Sequence, residues 1–146
     1  MLIVKKDHAK AVRTVSAAYP KLVVSDKPVV TRFKDPADNE TRIDLMKPLQ
    51  KVYQLAFRYT LQVGESHRIP DLEMGLISKF AAITSPNRER LRKMQDTVDF
   101  ADIFLHNQGD VNVPKLLRLA AQVYPGGEAE ISKLVDDIRA GRKIEV

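Results

Sequence analysis

The sequence predicts an α+β protein, a small strand-rich part followed by a bundle of helices. Two observations carry this. Between residues 21 and 46, β-branched and aromatic residues cluster in short runs separated by Pro, Asp and Asn. From Asp71 onward, apolar residues recur at spacings of three and four between helix-capping residues. A chain of 146 residues with 44% hydrophobic content can bury a core. The change of period puts a boundary near residue 70, giving a 1–70 α/β core with a mixed sheet and a 71–146 helical region.

The elements follow in order. "MLIV" is a short apolar run. Asp7 then caps a helix whose Ala11, Val12, Val15, Ala18 and Tyr19 repeat at helical spacing until Pro20 stops it. "KLVV", "PVVTRF" and "TRIDLM" are strands, and "KDPADNE" supplies the Pro, Asp and Asn of a hairpin turn. "LQKVYQLAFRY" reads as a short helix, and "TLQV" and "HRI" flank "GES" as a second, weaker hairpin. Asp71 caps a helix over "LEMGLISKFAAIT", and Ser85 with Pro86 opens the next, in which Leu91, Met94, Val98, Ala101 and Leu105 form one buried stripe. Asn112 and Pro114 start a third helix that runs to Val123. A fourth, "EAEISKLVDDIRA", ends at Gly141.

Composition narrows the chemistry. The chain has no cysteine, and His8, His67 and His106 are too dispersed for a zinc spacing, so a metal would be held by carboxylates, as magnesium or manganese are. No apolar run reaches the roughly 20 residues of a membrane span, and the start lacks a secretory signal, which predicts a cytoplasmic protein without membrane attachment. The net charge of +5 is uneven: residues 1–70 hold 13 Lys and Arg against 7 Asp and Glu, and residues 71–146 hold 11 against 12. The basic part could serve a polyanion.

Three groups of residues could carry chemistry. Alternation along "TRIDLM" puts Ile43 and Leu45 on one face and Arg42, Asp44 and Met46 on the other; taken alone, Asp44 is a solvated charge. Lys79 leaves a helical stripe made of Leu72, Leu76, Phe80 and Ile83. It either snorkels to water or aims an amine at a phosphate. Arg88, Arg92, Asp96 and Asp99 follow one another by four, four and three, a ladder that intrahelical ion pairing also explains.

Taken together, a strand ending in "IDLMKP", a short helix, "IPDLE", and then "KFAA", an arginine, "KMQD" and "TVD" resemble the minimal nucleotidyltransferases of the DNA polymerase β superfamily. The chain is most similar to the abortive-infection toxin type (AbiEii-like). The resemblance covers residues 1 to about 125. It implies that Asp44 is the third catalytic carboxylate and a magnesium ligand. It also implies that Lys79 contacts the nucleotide, and that Arg88 or Arg90, Lys93, Asp96 and Asp99 complete the helical nucleotide-binding motif. Transfer of a nucleoside monophosphate from a nucleoside triphosphate to a nucleic acid, protein or small acceptor would follow, with an antitoxin-like protein as partner.

The chain departs from the family's pattern at one place. The Gly-Ser turn and D-x-D pair that should precede the third carboxylate are missing from residues 1–43, and "GES" comes after it. The expectation is that the chain begins just after the catalytic pair. It would then be inactive as this truncated chain, and prone to self-association through an incomplete sheet. The alternative is a non-catalytic module that binds nucleic acid through its basic part or a protein through its helices.

Overall fold

The computed structural model describes residues 1–65 and 67–144, the side chain of His67 excepted, so Ser66 of the "GES" turn lies outside the described residues. The architecture is α+β: six α-helices and two small antiparallel sheets. The chain divides into two units, Met1–Gln54 and Leu55–Val146. The division falls before the second hairpin, which is thereby grouped with the helices.

In the first unit, a 3-10 turn (Lys5–Asp7) leads into α1 (His8–Ala18). Strands β1 (Val23–Asp26), β2 (Val30–Lys34) and β3 (Thr41–Met46) then form an antiparallel meander in that order. Their register sets Ser25 opposite Arg32 and Arg32 opposite Asp44, with a bulge between Phe33 and Lys34. The turn before β3 needs Asn39 at φ 58°, a left-handed conformation that Asn tolerates. Arg42 ties that turn down, bonding Asp35 at 3.2 Å, Glu40 at 2.9 Å and Asp38.

The first residues join the sheet on the far side of β3. Leu2 bridges Met46 in parallel, the Met46 amide donates to the Met1 carbonyl at 2.8 Å, and the Ile3 amide donates to the Met46 carbonyl. "MLIV" thus touches β3 through a single parallel bridge, while the three strands of the sheet pair antiparallel rather than as the mixed sheet expected from the sequence. Phe33 and Leu45 are fully buried, as is Thr31, whose hydroxyl bonds Asp26 and the Nε2 of His8 and so ties α1 to one face of β2. Asp7 stands at the start of α1 as expected, but its side chain makes no capping bond.

Helix α2 (Lys51–Ala56) spans the division between the units, and the second unit continues with the hairpin β4 (Thr60–Val63) and β5 (His67–Pro70). Four helices follow: α3 (Leu72–Ile83), α4 (Arg90–His106), α5 (Val113–Val123) and α6 (Gly127–Arg139). Helix α3 packs against α4 and α5, and α6 packs against α5 and α4. Each start has a stated cause: the Asp71 carboxylate accepts from the Met74 amide at 3.0 Å, and the Asn112 side chain accepts from the Lys115 amide at 3.0 Å. Gly141, at φ 63°, ends α6 as the sequence predicts. The core is built from Met74, Ile77 and Phe80 of α3, Phe100 and Phe104 of α4, Leu116 and Leu119 of α5, and Ile131 of α6.

Helix α4 corrects the sequence reading in two ways. It starts at Arg90 rather than at Ser85–Pro86, because residues 84–89 form a turn between α3 and α4. Its predicted inner stripe is its outer one. Leu91, Met94, Val98 and Leu105 are 79%, 47%, 53% and 45% exposed, while Asp96, Thr97, Phe100 and Phe104 are buried. The physical reason is size and pairing. Phe100 and Phe104, one turn apart and stacked at 6.4 Å, offer more apolar area to the core than the aliphatic stripe does, and Asp96 enters with them because cations meet it there. Among the described residues, no helix is long and apolar enough to cross a membrane.

Candidate functional site

The helical unit brings together four of the residues singled out in the sequence. Lys79 projects from α3 toward α4, where its Nζ donates to Asp96 Oδ1 at 3.2 Å and to Asp99 Oδ2 at 2.5 Å. Arg88, in the turn ahead of α4, reaches forward so that its Nε and a terminal nitrogen both donate to Asp96 Oδ2, at 3.0 and 2.7 Å. Gln95 donates to Asp99 Oδ1 at 2.7 Å. Lys79 thus neither snorkels alone nor stands apart; it bridges two aspartates that lie 17 and 20 residues further along the chain.

Burial grades the cluster from a closed centre to an open rim. Asp96 is buried, with 7% of its side chain exposed, against 32% for Lys79, 32% for Asp99 and 42% for Arg88. A carboxylate at that depth is tolerated only when paired and hydrogen-bonded, and three donors supply this. The bond to Asp99 holds the Lys79 ammonium above the ordinary lysine value, against the opposing effect of burial, and Asp96 adds to it. Lys79 in turn, with help from Gln95, holds the Asp99 carboxyl below the ordinary aspartate value. Arg90, the first residue of α4, is exposed and Lys93 is half-buried; neither makes an ion pair among the described residues.

Asp44 belongs to the other unit. It stands on the sheet face opposite to Thr31 and Leu45, with Arg32 directly across from it on β2, and Arg32 Nε lies 3.5 Å from Asp44 Oδ1. That contact is an ion pair rather than a hydrogen bond. Oδ1 is occluded from water with no hydrogen-bond partner, although the side chain as a whole is 40% exposed. The cation beside this occluded oxygen is a guanidinium. The described residues include no group of three or more metal-ligating side chains that could hold an ion. The donor set at Asp44, one carboxylate beside an arginine, does not fit a magnesium ion, which needs more anionic or neutral oxygens than this position gathers.

A second cluster escaped the sequence reading. Lys115 Nζ lies between Asp71 Oδ2 at 2.8 Å and Glu73 Oε2 at 2.7 Å, and sits over the Tyr59 ring at 5.6 Å. Glu73 also accepts the Asn112 amide at 2.8 Å. Burial pushes the Glu73 carboxyl up, yet Lys115 and that amide outweigh it and leave it below the ordinary value. Burial pushes Lys115 down, and its two carboxylates outweigh that too. The signal in the sequence was "IPDLE" ahead of α3, with a lysine three residues beyond the Asn112 cap. This cluster locks the starts of α3 and α5 together.

No protein-family model, curated protein or solved structure matches the chain.

Proposed function

We propose that this chain is a nucleotidyltransferase-like protein that binds a nucleoside triphosphate weakly through its α3–α4 cluster and, by itself, transfers no nucleotide. One observation supports the reading above others. Lys79, Arg88, Asp96 and Asp99, which the family resemblance selects from separate segments, meet in a single bonded cluster formed by α3, α4 and the turn between them. Lys79 together with residues 88–99 holds five Lys and Arg against three Asp and Glu, a local excess of cations in the sequence. Lys79 and Arg88 keep enough exposure for phosphate oxygens to share their N–H groups, a geometry to which guanidinium is suited.

The expected inactivity follows from ligand count. Two-metal nucleotidyl transfer needs several carboxylates to hold the ions that activate the attacking hydroxyl and neutralise the triphosphate. Asp44 is one, and its neighbour is Arg32. Magnesium would therefore reach this chain with the nucleotide rather than be held by it.

A second reading, a non-catalytic module that binds nucleic acid or protein, is favoured by the extent to which Asp96 and Asp99 already satisfy Lys79. One set of measurements separates the two. The chain is titrated with a fluorescent nucleoside triphosphate in the presence of magnesium, and separately incubated with labelled triphosphates and RNA or protein acceptors. The expected result is weak binding, lost in Arg88→Ala and reduced in Lys79→Ala, with no label transferred. Binding that ignores both substitutions would discard the nucleotide reading and leave the module. Label transfer that disappears in Asp44→Ala would overturn the claim of inactivity.

A further inference from the structure

We infer that the outward face of α1, with the turn before it, is a contact surface for the phosphate backbone of duplex DNA, bound without regard to sequence. The inference does not rest on the nucleotide reading, and it concerns the first unit alone. Met1–Gln54 holds eleven Lys and Arg against six Asp and Glu, whereas Leu55–Val146 holds thirteen of each, so the whole net charge of +5 lies in the first unit. Three cations there take up five of the six carboxylates. Arg42 pairs with Asp35, Asp38 and Glu40, Lys47 with Asp26, and Arg32 with Asp44. Of the eight cations left over, Lys5, Lys6, Lys10 and Arg13 fall together in sequence; all four are exposed, and none makes an ion pair among the described residues.

The way α1 lies gathers them. His8, Ala11, Val12, Val15 and Ser16 are half-buried, and His8 bonds the Thr31 hydroxyl of β2 at 3.2 Å, which fixes the inner side of the helix. At about 100° per residue the outer side is then centred on Lys10, Arg13 and Ala17. Asp7 is the single carboxylate between residues 5 and 18, and α1 itself has none, so intrahelical pairing does not account for its cations. Charge complementarity calls for a polyanion, and the neighbouring side chains select which. From Lys5 to Ala18 no exposed residue is aromatic or a large aliphatic. A lipid surface would gain no apolar burial there, and a single strand would find no ring on which to stack its bases. The face instead offers cations set among the small Ala9, Thr14 and Ala17, which let the helix come close to a row of phosphates. The major groove of B-form DNA admits an α-helix and that of an RNA duplex does not, which favours DNA. Lysine and arginine on phosphates position a protein without reading bases.

Fluorescence anisotropy of the full chain with labelled DNA duplexes of two unrelated sequences tests this, with the matching single strands, an RNA duplex and phosphatidylserine vesicles as comparisons. Both DNA duplexes should bind alike and more tightly than the other three. Four neutralised phosphates predict a slope of log affinity against log salt of about −3.6, or a loss of roughly 150-fold between about 50 and 200 mM salt. Lys10→Gln with Arg13→Gln should weaken binding at least roughly tenfold at low salt and bring the slope to about −1.8. Both positions are exposed, so the double variant should keep the circular dichroism and melting temperature of the native chain, which separates a lost contact from a lost fold. Arg88→Ala, the variant that tests triphosphate binding, should leave duplex binding unchanged, so the two readings fail separately. No duplex binding at low salt, or binding whose strength and slope ignore the Lys10 and Arg13 substitutions, would overturn the surface. A preference for the single strand, the RNA duplex or the vesicles would overturn the choice of DNA.

Discussion

Replacing Asp96 by Ala probes the α3–α4 cluster at its buried centre. The carboxylate accepts three charge-assisted hydrogen bonds, one from Lys79 and two from Arg88, at 2.7–3.2 Å. Stripping a partner from a buried ion pair costs about 3–5 kcal/mol when the remaining charge is stranded. Here the remaining charges are not stranded, since Lys79 retains Asp99 and Arg88 is 42% exposed to water. That lowers the expected loss to about 2 kcal/mol, or roughly 8–16 °C in melting temperature for a cooperative unit of this size. Urea and thermal unfolding followed by circular dichroism measure it. A double-mutant cycle with Lys79→Met should return a coupling on the order of 1 kcal/mol. The pH dependence carries a sign. Asp99 is held below its ordinary 3.8, so its contribution is present above that pH and fades as pH falls further. Lys79 is held above 10.5, so its contribution is present below that pH and fades as pH rises further. The stability gap between the native chain and Lys79→Met should therefore be flat in between and narrow at both ends. A loss below about 0.5 kcal/mol for Asp96→Ala would place the cluster with ordinary surface ion pairs and refute its role in orienting α3 on α4.

Four further substitutions follow from the helical unit. Lys115→Met leaves Glu73, 8% exposed, with only the Asn112 amide; a loss of about 3 kcal/mol in urea unfolding is expected, and one under 1 kcal/mol would mean that water replaces the lysine. Gly127→Ala would set its Cβ 2.5 Å from the Ala120 carbonyl oxygen, so α5 and α6 must separate slightly; a cost of about 1–3 kcal/mol is expected, whereas Gly75→Ala, with nothing near the new Cβ, should be neutral or stabilising in the same melts. The phenol of Tyr124, half-buried, with its ring stacked on Phe80 and its hydroxyl bonded to Glu130 at 2.6 Å, is pushed up to about 12 by partial burial first and the carboxylate second. Ultraviolet titration of the four tyrosines should show one late phenol that disappears in Tyr124→Phe. Its stabilising contribution should be lost as pH rises from 10.0 through about 12.

Where local rules decide, the sequence was legible. The hairpin turn before β3, the caps Asp71 and Asn112 and the stop at Gly141 each depend on a residue and its near neighbours, and each fell where expected. The convergence of Lys79, Arg88, Asp96 and Asp99 was legible only through a family resemblance, because the pairing of Lys79 with Asp96 and Asp99 joins two helices. Spacing along α4 alone suggested an intrahelical ladder from Arg88 through Arg92. Arg88 precedes the helix altogether, and its bond to Asp96 belongs to the turn.

The orientation of α4 was illegible for a reason that ties the site to the surface. Periodicity counts apolar positions and is blind to how much each buries and to what a neighbouring helix offers. It therefore ranked five aliphatic positions above a face holding Asp96, Thr97, Phe100 and Phe104. That face wins only because Lys79 and Arg88 compensate the buried carboxylate while the two phenylalanines fill the core. Once it is inside, geometry requires the aliphatic seam to point outward. The ion-pair cluster and the exposed seam are two consequences of one rotational choice about the α4 axis. A change that removes the compensation without removing the charge, such as Lys79→Met with Arg88→Ala, should weaken the packing of α3 on α4.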